Sequence, residues 1–312
     1  MKVDIAKLQV VLNRKEFSIR KKEKFLDQKD VDTLNNDTIE RVLENGENFY
    51  QKKISDISLV VKSDNLVSEA QKRIEKDGIF IIQNYLDADT ADKLCGMIES
   101  RSMLYLSKLG DDKTYEDGIA IVQKGLLIKK DYGELANSIK PVINIREGAD
   151  EGMIDIFNID QFLEDKVGRE ILDKLRKDKF LSSFLKLLPE QLSIQNMNSY
   201  VNTGITKTRG FHVDSYFKKI KMFIYLTDVL SFADGPYTFV KETHVDTPYR
   251  RMNKSLAKDL LGDTETPIIP FDNVYPILAS KGSLVVSDQA GFHRGFPQSV
   301  EGSRRVLTIN CK

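Results

Sequence analysis

The sequence predicts an α+β, mainly β fold: a double-stranded β-helix (a cupin-like jelly roll) with helices packed on one sheet and a helical N-terminal extension. Three observations carry this. After about residue 190 the chain reads as many short apolar runs separated by turn residues, the pattern of a closed β core. Ahead of it, 160–188 is a long helical region stopped by Pro189, with Val167, Ile171, Leu172 and Leu175 as its apolar stripe. Residues 1–65 have a third texture, rich in Lys, Glu, Asp and Asn with thin apolar faces. The division that follows is 1–65 for the extension and 66–312 for the β-rich domain.

Within the extension, Ile5, Leu8, Val11 and Leu12 have helical spacing, as do Ile39, Val42 and Leu43. Asn36-Asp37-Thr38 offers a helix N-cap and Asn45-Gly46 a stop. Such faces suit a segment packed on a larger body; the functional alternative is a partner-binding arm. From Asn65 the texture changes. Residues 68–76 read as a helix closed by Asp77-Gly78, and Ile79-Phe80-Ile81-Ile82 as a buried strand. Asp87 to Thr90 caps a further helix carrying Ala91, Leu94 and Ile98 on one face. Residues 101–158 hold turns around short runs such as 119–122 and 126–128, and 147–152 reads as a surface loop.

The strand-rich remainder begins at 193–201, where Asn196, Asn198 and Tyr200 share a face. Polar groups aimed inward need partners, so this strand lines a polar cavity or holds a buried network. Further strands are expected at 222–227, 237–240, 274–278, 283–287 and 305–310, with Asp234-Gly235-Pro236 as a turn and a helix at 256–261 within an insertion. Tyr249-Arg250-Arg251 in that insertion reads as a solvated surface cluster.

Composition excludes several classes. Lys+Arg and Asp+Glu are both 47, giving a formal net charge of zero, so nothing draws the chain to nucleic acid or an anionic membrane. Cys95 and Cys311 form neither a disulfide framework nor a metal-ligand spacing. With no signal-peptide pattern and no apolar run of membrane-spanning length, a soluble, cytoplasmic protein is expected. Oligomeric state is not legible.

The chemistry concentrates in Phe211-His212-Val213-Asp214. On a strand His212 and Asp214 share a face, supplying two thirds of a two-histidine, one-carboxylate site for non-heme ferrous iron. An isolated pair of this kind more often shares a surface hydrogen bond. The chain has three histidines, so the third ligand is His244 or His293. His293 follows the apolar run Ser283-Leu284-Val285-Val286, where a strand ends in a turn. Beyond it, Arg304 and Arg305 open another apolar run and offer a carboxylate grip.

From about Val67 onward the chain resembles the phytanoyl-CoA dioxygenase family of iron- and 2-oxoglutarate-dependent oxygenases. The likeness rests on the opening Asp77-Gly78-Ile79-Phe80-Ile81-Ile82, on His212-Val213-Asp214, and on Asp234-Gly235-Pro236-Tyr237 running to Thr243-His244. It continues in Gly282 to Asp288 leading to His293, and in Gly302-Ser303-Arg304-Arg305. Lys241-Glu242 replaces the family's usual Pro-Gly, Gly295 stands where some relatives place serine, and Leu226 where some carry tryptophan.

The resemblance implies a jelly-roll dioxygenase in which His212, Asp214 and His293 bind Fe(II), with His244 at a position usually not a ligand. It implies that Arg304 grips the distal carboxylate of 2-oxoglutarate, Arg305 being the alternative, and that Asn198 contributes a polar cosubstrate contact. The implied reaction uses dioxygen, oxidises an unactivated C–H of a small-molecule substrate, and releases succinate and CO2. The intact Asp214 points to hydroxylation or desaturation over halogenation, because related halogenases have a small residue there. The alternatives are a cupin-type enzyme using zinc or manganese without a cosubstrate, and a non-catalytic jelly-roll binding module. The cupin alternative has no need of Arg304.

Overall fold

The structure, a computed structural model, describes residues 28–61, 65–108, 113–116, 118–122, 140–256 and 264–312. The helical spacing at 5–12, the run 126–128 and most of the helix expected over 256–261 lie outside them. A helix does occur just upstream, at Pro248–Leu256.

Strands buried on both faces build the body. In β2 (Ile79–Ile82) all four residues are buried, Phe80 and Ile82 in one core cluster and Ile79 and Ile81 in another. The strands β8 (Ile220–Tyr225), β11 (Leu284–Asp288) and β13 (Ser303–Cys311) divide in the same way. Met222, Ile224, Val286 and Leu307 face one side; Phe223, Tyr225, Val285 and Val306 face the other. This double burial explains the near-continuous apolar runs in the sequence.

The remaining strands of the large sheet are β1 (Ser58–Leu59), β3 (Lys113–Glu116), β4 (Ile119–Val122), β5 (Val142–Ile145), β6 (Ile154–Phe157) and β7 (Ile194–Thr203). Ten strands hydrogen-bond in the order β1-β2-β11-β8-β13-β7-β6-β5-β4-β3. A second sheet has three, β10 (Val274–Pro276), β9 (Tyr237–Val240) and β12 (His293–Gly295), in the order β10-β9-β12. Tyr237, Phe239 and Tyr275 of the small sheet join Phe223, Tyr225 and Val285 of the large one in a single cluster, so the two sheets face each other.

Helices cover the opposite face of the large sheet. Leu66–Asp77 ends at Gly78, whose φ of +75° is the left-handed stop that the Asp-Gly pair predicts. Any side chain there would also strike the His244 ring, because an added Cβ would lie 2.5 Å from its Nδ1. The next helix, Ala88–Leu106, starts as expected, with the Asp87 side chain accepting from the Thr90 N–H. The region 160–188 is three helices, not one continuous rod: Ile159–Phe162, Lys166–Arg176 and Lys179–Leu187. Asp165 and Asp178 cap the second and third, so each restarts where a short acceptor side chain captures free N–H groups. Ile171, Leu172 and Leu175 pack inward as expected, whereas Val167, in the first turn, is 49% exposed. Among the described residues no helix is long and apolar enough to cross a membrane.

The outer face of the small sheet is covered by residues from the expected extension. Val42 of helix Gln28–Asn45 and Tyr50 of helix Glu47–Lys53 cluster with Phe211, Val213, Phe292 and Phe296. The first helix runs straight through the expected cap at Asn36-Asp37-Thr38. Its buried face, Val31, Asn35, Thr38 and Val42, continues across that point. Packing there outweighs the weak preference of short polar residues for caps, and the Thr38 hydroxyl bonds back to the Leu34 carbonyl within the helix. The stop at Asn45-Gly46 is observed, with Gly46 at φ +74°.

Candidate metal centre

Two segments meet beside the space between the sheets. The Phe211–Asp214 stretch pairs as a short antiparallel element: His212 and His293 exchange backbone hydrogen bonds of 3.0 and 2.9 Å, and the Asp214 N–H reaches the Gln289 carbonyl at 3.0 Å. Alternation sends Phe211 and Val213 into the apolar layer under the N-terminal helices. His212 and Asp214 are thereby turned the other way. His293 opens β12 and brings its imidazole alongside, the two rings 4.5 Å apart between centroids. One ligand atom each from His212, Asp214 and His293 lies within 4.8 Å of the others.

Both imidazoles are held in the same manner. Each Nδ1 lies 2.9 Å from the carbonyl oxygen two residues earlier, Gly210 for His212 and Gly291 for His293. A carbonyl only accepts, so Nδ1 carries the proton and Nε2 keeps its lone pair free to ligate. Burial, with the Arg209 cation and the neighbouring His293, holds the His212 pKa well below its ordinary value. The Asp214 carboxylate divides its oxygens: Oδ1 lies 3.6 Å from His293 Nε2, and Oδ2 accepts from Lys221 Nζ at 3.0 Å. Burial alone would raise its pKa, but the Lys221 ammonium and the two histidines hold it well below the carboxylate range. Two imidazoles aimed by their carbonyl partners and an ionised carboxylate match the donor set of a divalent metal.

On the facing wall, in β13 of the large sheet, Arg304 and Arg305 part company. Arg305 points to the helix side, where its Nε donates to Glu99 at 2.6 Å and its Nη1 to the Asn202 carbonyl at 2.6 Å. Arg304 faces inward, is 8% exposed, and donates through Nη1 to the Gly235 carbonyl. Its Nε is buried without a partner, and no described carboxylate pairs with it. Burial lowers its pKa, the sign of a guanidinium short of anionic company. Gly295 lies beside it: a Cβ there would sit 3.7 Å from Arg304 Nη2, in ordinary contact.

Other expected residues fall elsewhere. Asn198 is buried, but its Oδ1 accepts from the Asn158 N–H and so secures the turn after β6. It stands four residues from Asn202, which is the residue in register with Arg304. His244 lies outside the cluster, its Nε2 against the Glu75 carbonyl at 3.1 Å. Leu226 packs into the helix-side core, away from the site.

Three contributors were not legible beforehand. Asn202 is buried with an unpartnered Oδ1. Lys221 precedes the expected strand start at Met222, yet it shares the inward parity of Phe223 and Tyr225, the one signal that could have found it. Arg250 is not a solvated surface residue. Its guanidinium bonds the carbonyls of Tyr216, Thr243 and Ala290, tying together segments next to Asp214 and His293.

No protein-family model and no curated protein sequence matches the chain. Among solved structures the chain is similar to AviO1 from Streptomyces viridochromogenes Tue57, at 14% identity and a TM-score of 0.49 over 80% of this chain and 96% of that one. It is similar to the non-heme alpha ketoglutarate dependent epimerase SnoN from nogalamycin biosynthesis, at 11% identity and a TM-score of 0.47 over 80% and 83% of the two chains. It is also similar to HygX from Streptomyces hygroscopicus, solved with nickel and 2-oxoglutarate, at 13% identity and a TM-score of 0.44 over 78% and 85%.

Proposed function

We propose that the protein is an Fe(II)- and 2-oxoglutarate-dependent dioxygenase on a double-stranded β-helix, which hydroxylates an unactivated C–H of a small-molecule substrate with release of succinate and CO2. The observation that carries this is the pairing of a His212–Asp214–His293 cluster, on the small-sheet side, with a buried, carboxylate-free Arg304 on the facing wall of the same inter-sheet space. Either feature alone fits other chemistries. Together they fit a metal and a dicarboxylate held side by side.

The residues present suit both groups. His212 and His293 would ligate through Nε2, their Nδ1 protons already committed to Gly210 and Gly291. Asp214 would ligate through Oδ1, since Lys221 occupies Oδ2. Three protein ligands from one side leave coordination positions open, the arrangement of non-heme iron oxygenases. Arg304 would take the distal carboxylate through its free Nε and Nη2, satisfying the orphaned donor. Asn202, in register with Arg304, is placed for a polar contact with the same group. When bound, ferrous iron would activate dioxygen, which is the oxidant, while 2-oxoglutarate gives up two electrons in becoming succinate and CO2 and the substrate C–H gives up the other two. The protein's own part is to hold these groups in fixed geometry and keep the wall between the sheets dry: Phe223, Tyr225 and Phe239 are all buried there.

The test is an anaerobic titration of the apo-protein with ferrous iron and 2-oxoglutarate, followed by the weak visible charge-transfer band of the chelate. The band is expected in the wild type and absent in His293→Ala. Arg304→Ala is expected to weaken 2-oxoglutarate binding roughly 10- to 100-fold, the worth of charge-assisted hydrogen bonds in a buried site. Folded, metal-loaded protein that never shows the band would sink the assignment. Undiminished activity in Arg304→Ala would favour a metal enzyme that uses no cosubstrate.

A further inference from the structure

We propose that Lys221 anchors an anionic group of the primary substrate, a carboxylate first, beside the metal; this rests on the metal-site reading above. Lys221 belongs to β8 and points between the sheets with Phe223 and Tyr225. Its side chain is 13% exposed, and its Nζ donates to Asp214 Oδ2 at 3.0 Å. An ammonium has three donors, and that bond uses one. Among the described residues Nζ makes no other hydrogen bond. Its remaining surroundings are aromatic, with the Phe223 ring centroid 5.9 Å away. The Asp214 carboxylate keeps this nearly buried ammonium charged against the cost of its burial, and two of its donors remain for a further acceptor.

The charge balance of the site says what is missing. With the imidazoles counted as uncharged ligands of the metal, a divalent ion, Lys221 and Arg304 contribute four positive charges and Asp214 one negative charge. The 2-oxoglutarate dianion removes two of the resulting three. One positive charge is left over. The acids that face Arg294 and Arg304 do not supply it, because Asp150 is paired with Arg146 and accepts from the Arg209 backbone N–H, and Glu265 is paired with the Arg209 guanidinium. Lys219, 3.9 Å from Asp214 Oδ2 and 48% exposed, adds to the excess.

A purely structural role for Lys221 fits less well. Orienting Oδ2 needs only a neutral donor. A cation there competes with the metal for the charge of Asp214 and so weakens ligation. The conflict disappears when a substrate carboxylate accepts from the two spare donors. Such a group would fix the substrate with its neighbouring carbons close to the metal, which makes Lys221 a specificity-determining residue and directs a substrate search toward small carboxylic acids.

The experiment uses protein saturated with Co(II), which is paramagnetic and redox-inert here, together with 2-oxoglutarate. The probes are acetate and acetamide, followed by relaxation of their methyl protons. Acetate is expected to be relaxed in the wild type and in K221R, which keeps the charge. In K221Q its affinity is expected to fall roughly tenfold or more, and acetamide should be silent in all three. Acetate bound equally well by K221Q would mean direct ligation to the metal and would overturn the proposal. So would a wild type that ignores acetate while forming the iron–2-oxoglutarate band. A wild type without that band fails at the metal-site reading itself, and this inference falls with it.

Discussion

At the scale of single residues, the site is built by denying side chains their easy partners. Arg304 and Arg305 are adjacent, but strand alternation gives Arg305 a carboxylate, Glu99, and leaves Arg304 a carbonyl and an empty Nε. The histidines show the same economy. His244 donates to the Glu75 carbonyl through Nε2, and its Nδ1 is buried without an acceptor, so a second proton has nowhere to bond. Burial accordingly lowers the pKa of His244, as it does that of His212, from the ordinary 6.5. In the unfolded chain both take up protons as the pH falls through about 6.5, whereas in the folded chain they do so only at lower pH. The unfolded state therefore binds more protons at low pH, and stability present above about pH 6.5 is lost progressively below it. The melting temperature of the apo-protein is expected to fall between pH 7.5 and 5.5, with a shallower fall in His244→Gln. Identical slopes would remove His244 from this account.

At the scale of elements, the first helix does more than cover a sheet. Asn35 Oδ1 accepts the Phe211 N–H at 3.2 Å, one residue before His212, and Gly210 leaves the room for it: a Cβ there would lie 2.3 Å from Asn35 Nδ2. The same Gly210 supplies the carbonyl that orients His212. Asn35→Ala leaves the Phe211 N–H buried without a partner and is expected to cost about 1–3 kcal/mol, read by chemical denaturation. It should also loosen metal binding, because the carbonyl that fixes the His212 tautomer loses its support. On the opposite side of the molecule, Phe184 stands edge-on to Phe80 at 5.4 Å, both fully buried. Phe184→Ala is expected to cost about 3–5 kcal/mol while leaving metal affinity unchanged, since it lies in the helix-side core. A loss of metal affinity there would mean that the two faces of the large sheet are mechanically coupled.

At the scale of the whole molecule, the large sheet separates two tasks. Its helix-side face carries the larger core, and its inner face carries Lys221 and Arg304 opposite the candidate ligands, which the small sheet and the segment paired to it present. The outer face of the small sheet is apolar in turn, and Val42 and Tyr50 belong to the cluster that buries it. A chain beginning at residue 66 exposes Phe211, Val213, Phe292 and Phe296 together. It is expected to lose stability and to aggregate, with weakened metal binding because Phe211 and Phe292 flank two ligands. A soluble, metal-binding truncation would show that the helices only decorate the fold.

The sequence by itself determined the run of helix, stop, buried strand and capped helix over 66–106, the doubly buried strands that follow, and a shortlist of candidate ligands. Those signals are local: Asp77-Gly78 is a stop wherever it occurs, and His212 and Asp214 share a face of any strand that contains them. It also narrowed the guanidinium to Arg304 or Arg305, because alternation admits only one. Tertiary structure turned Arg304 inward and Arg305 to Glu99, since that depends on which face of β13 meets the helix. It also decided that the third histidine beside His212 and Asp214 is His293, with His244 turned to Glu75. And it gave Asn198 to a turn, put Asn202 beside Arg304, and aimed Lys221 at Asp214. Each of these is set by strand register and by pairing between distant segments, and no periodicity in a single stretch encodes the residue that lies across from it.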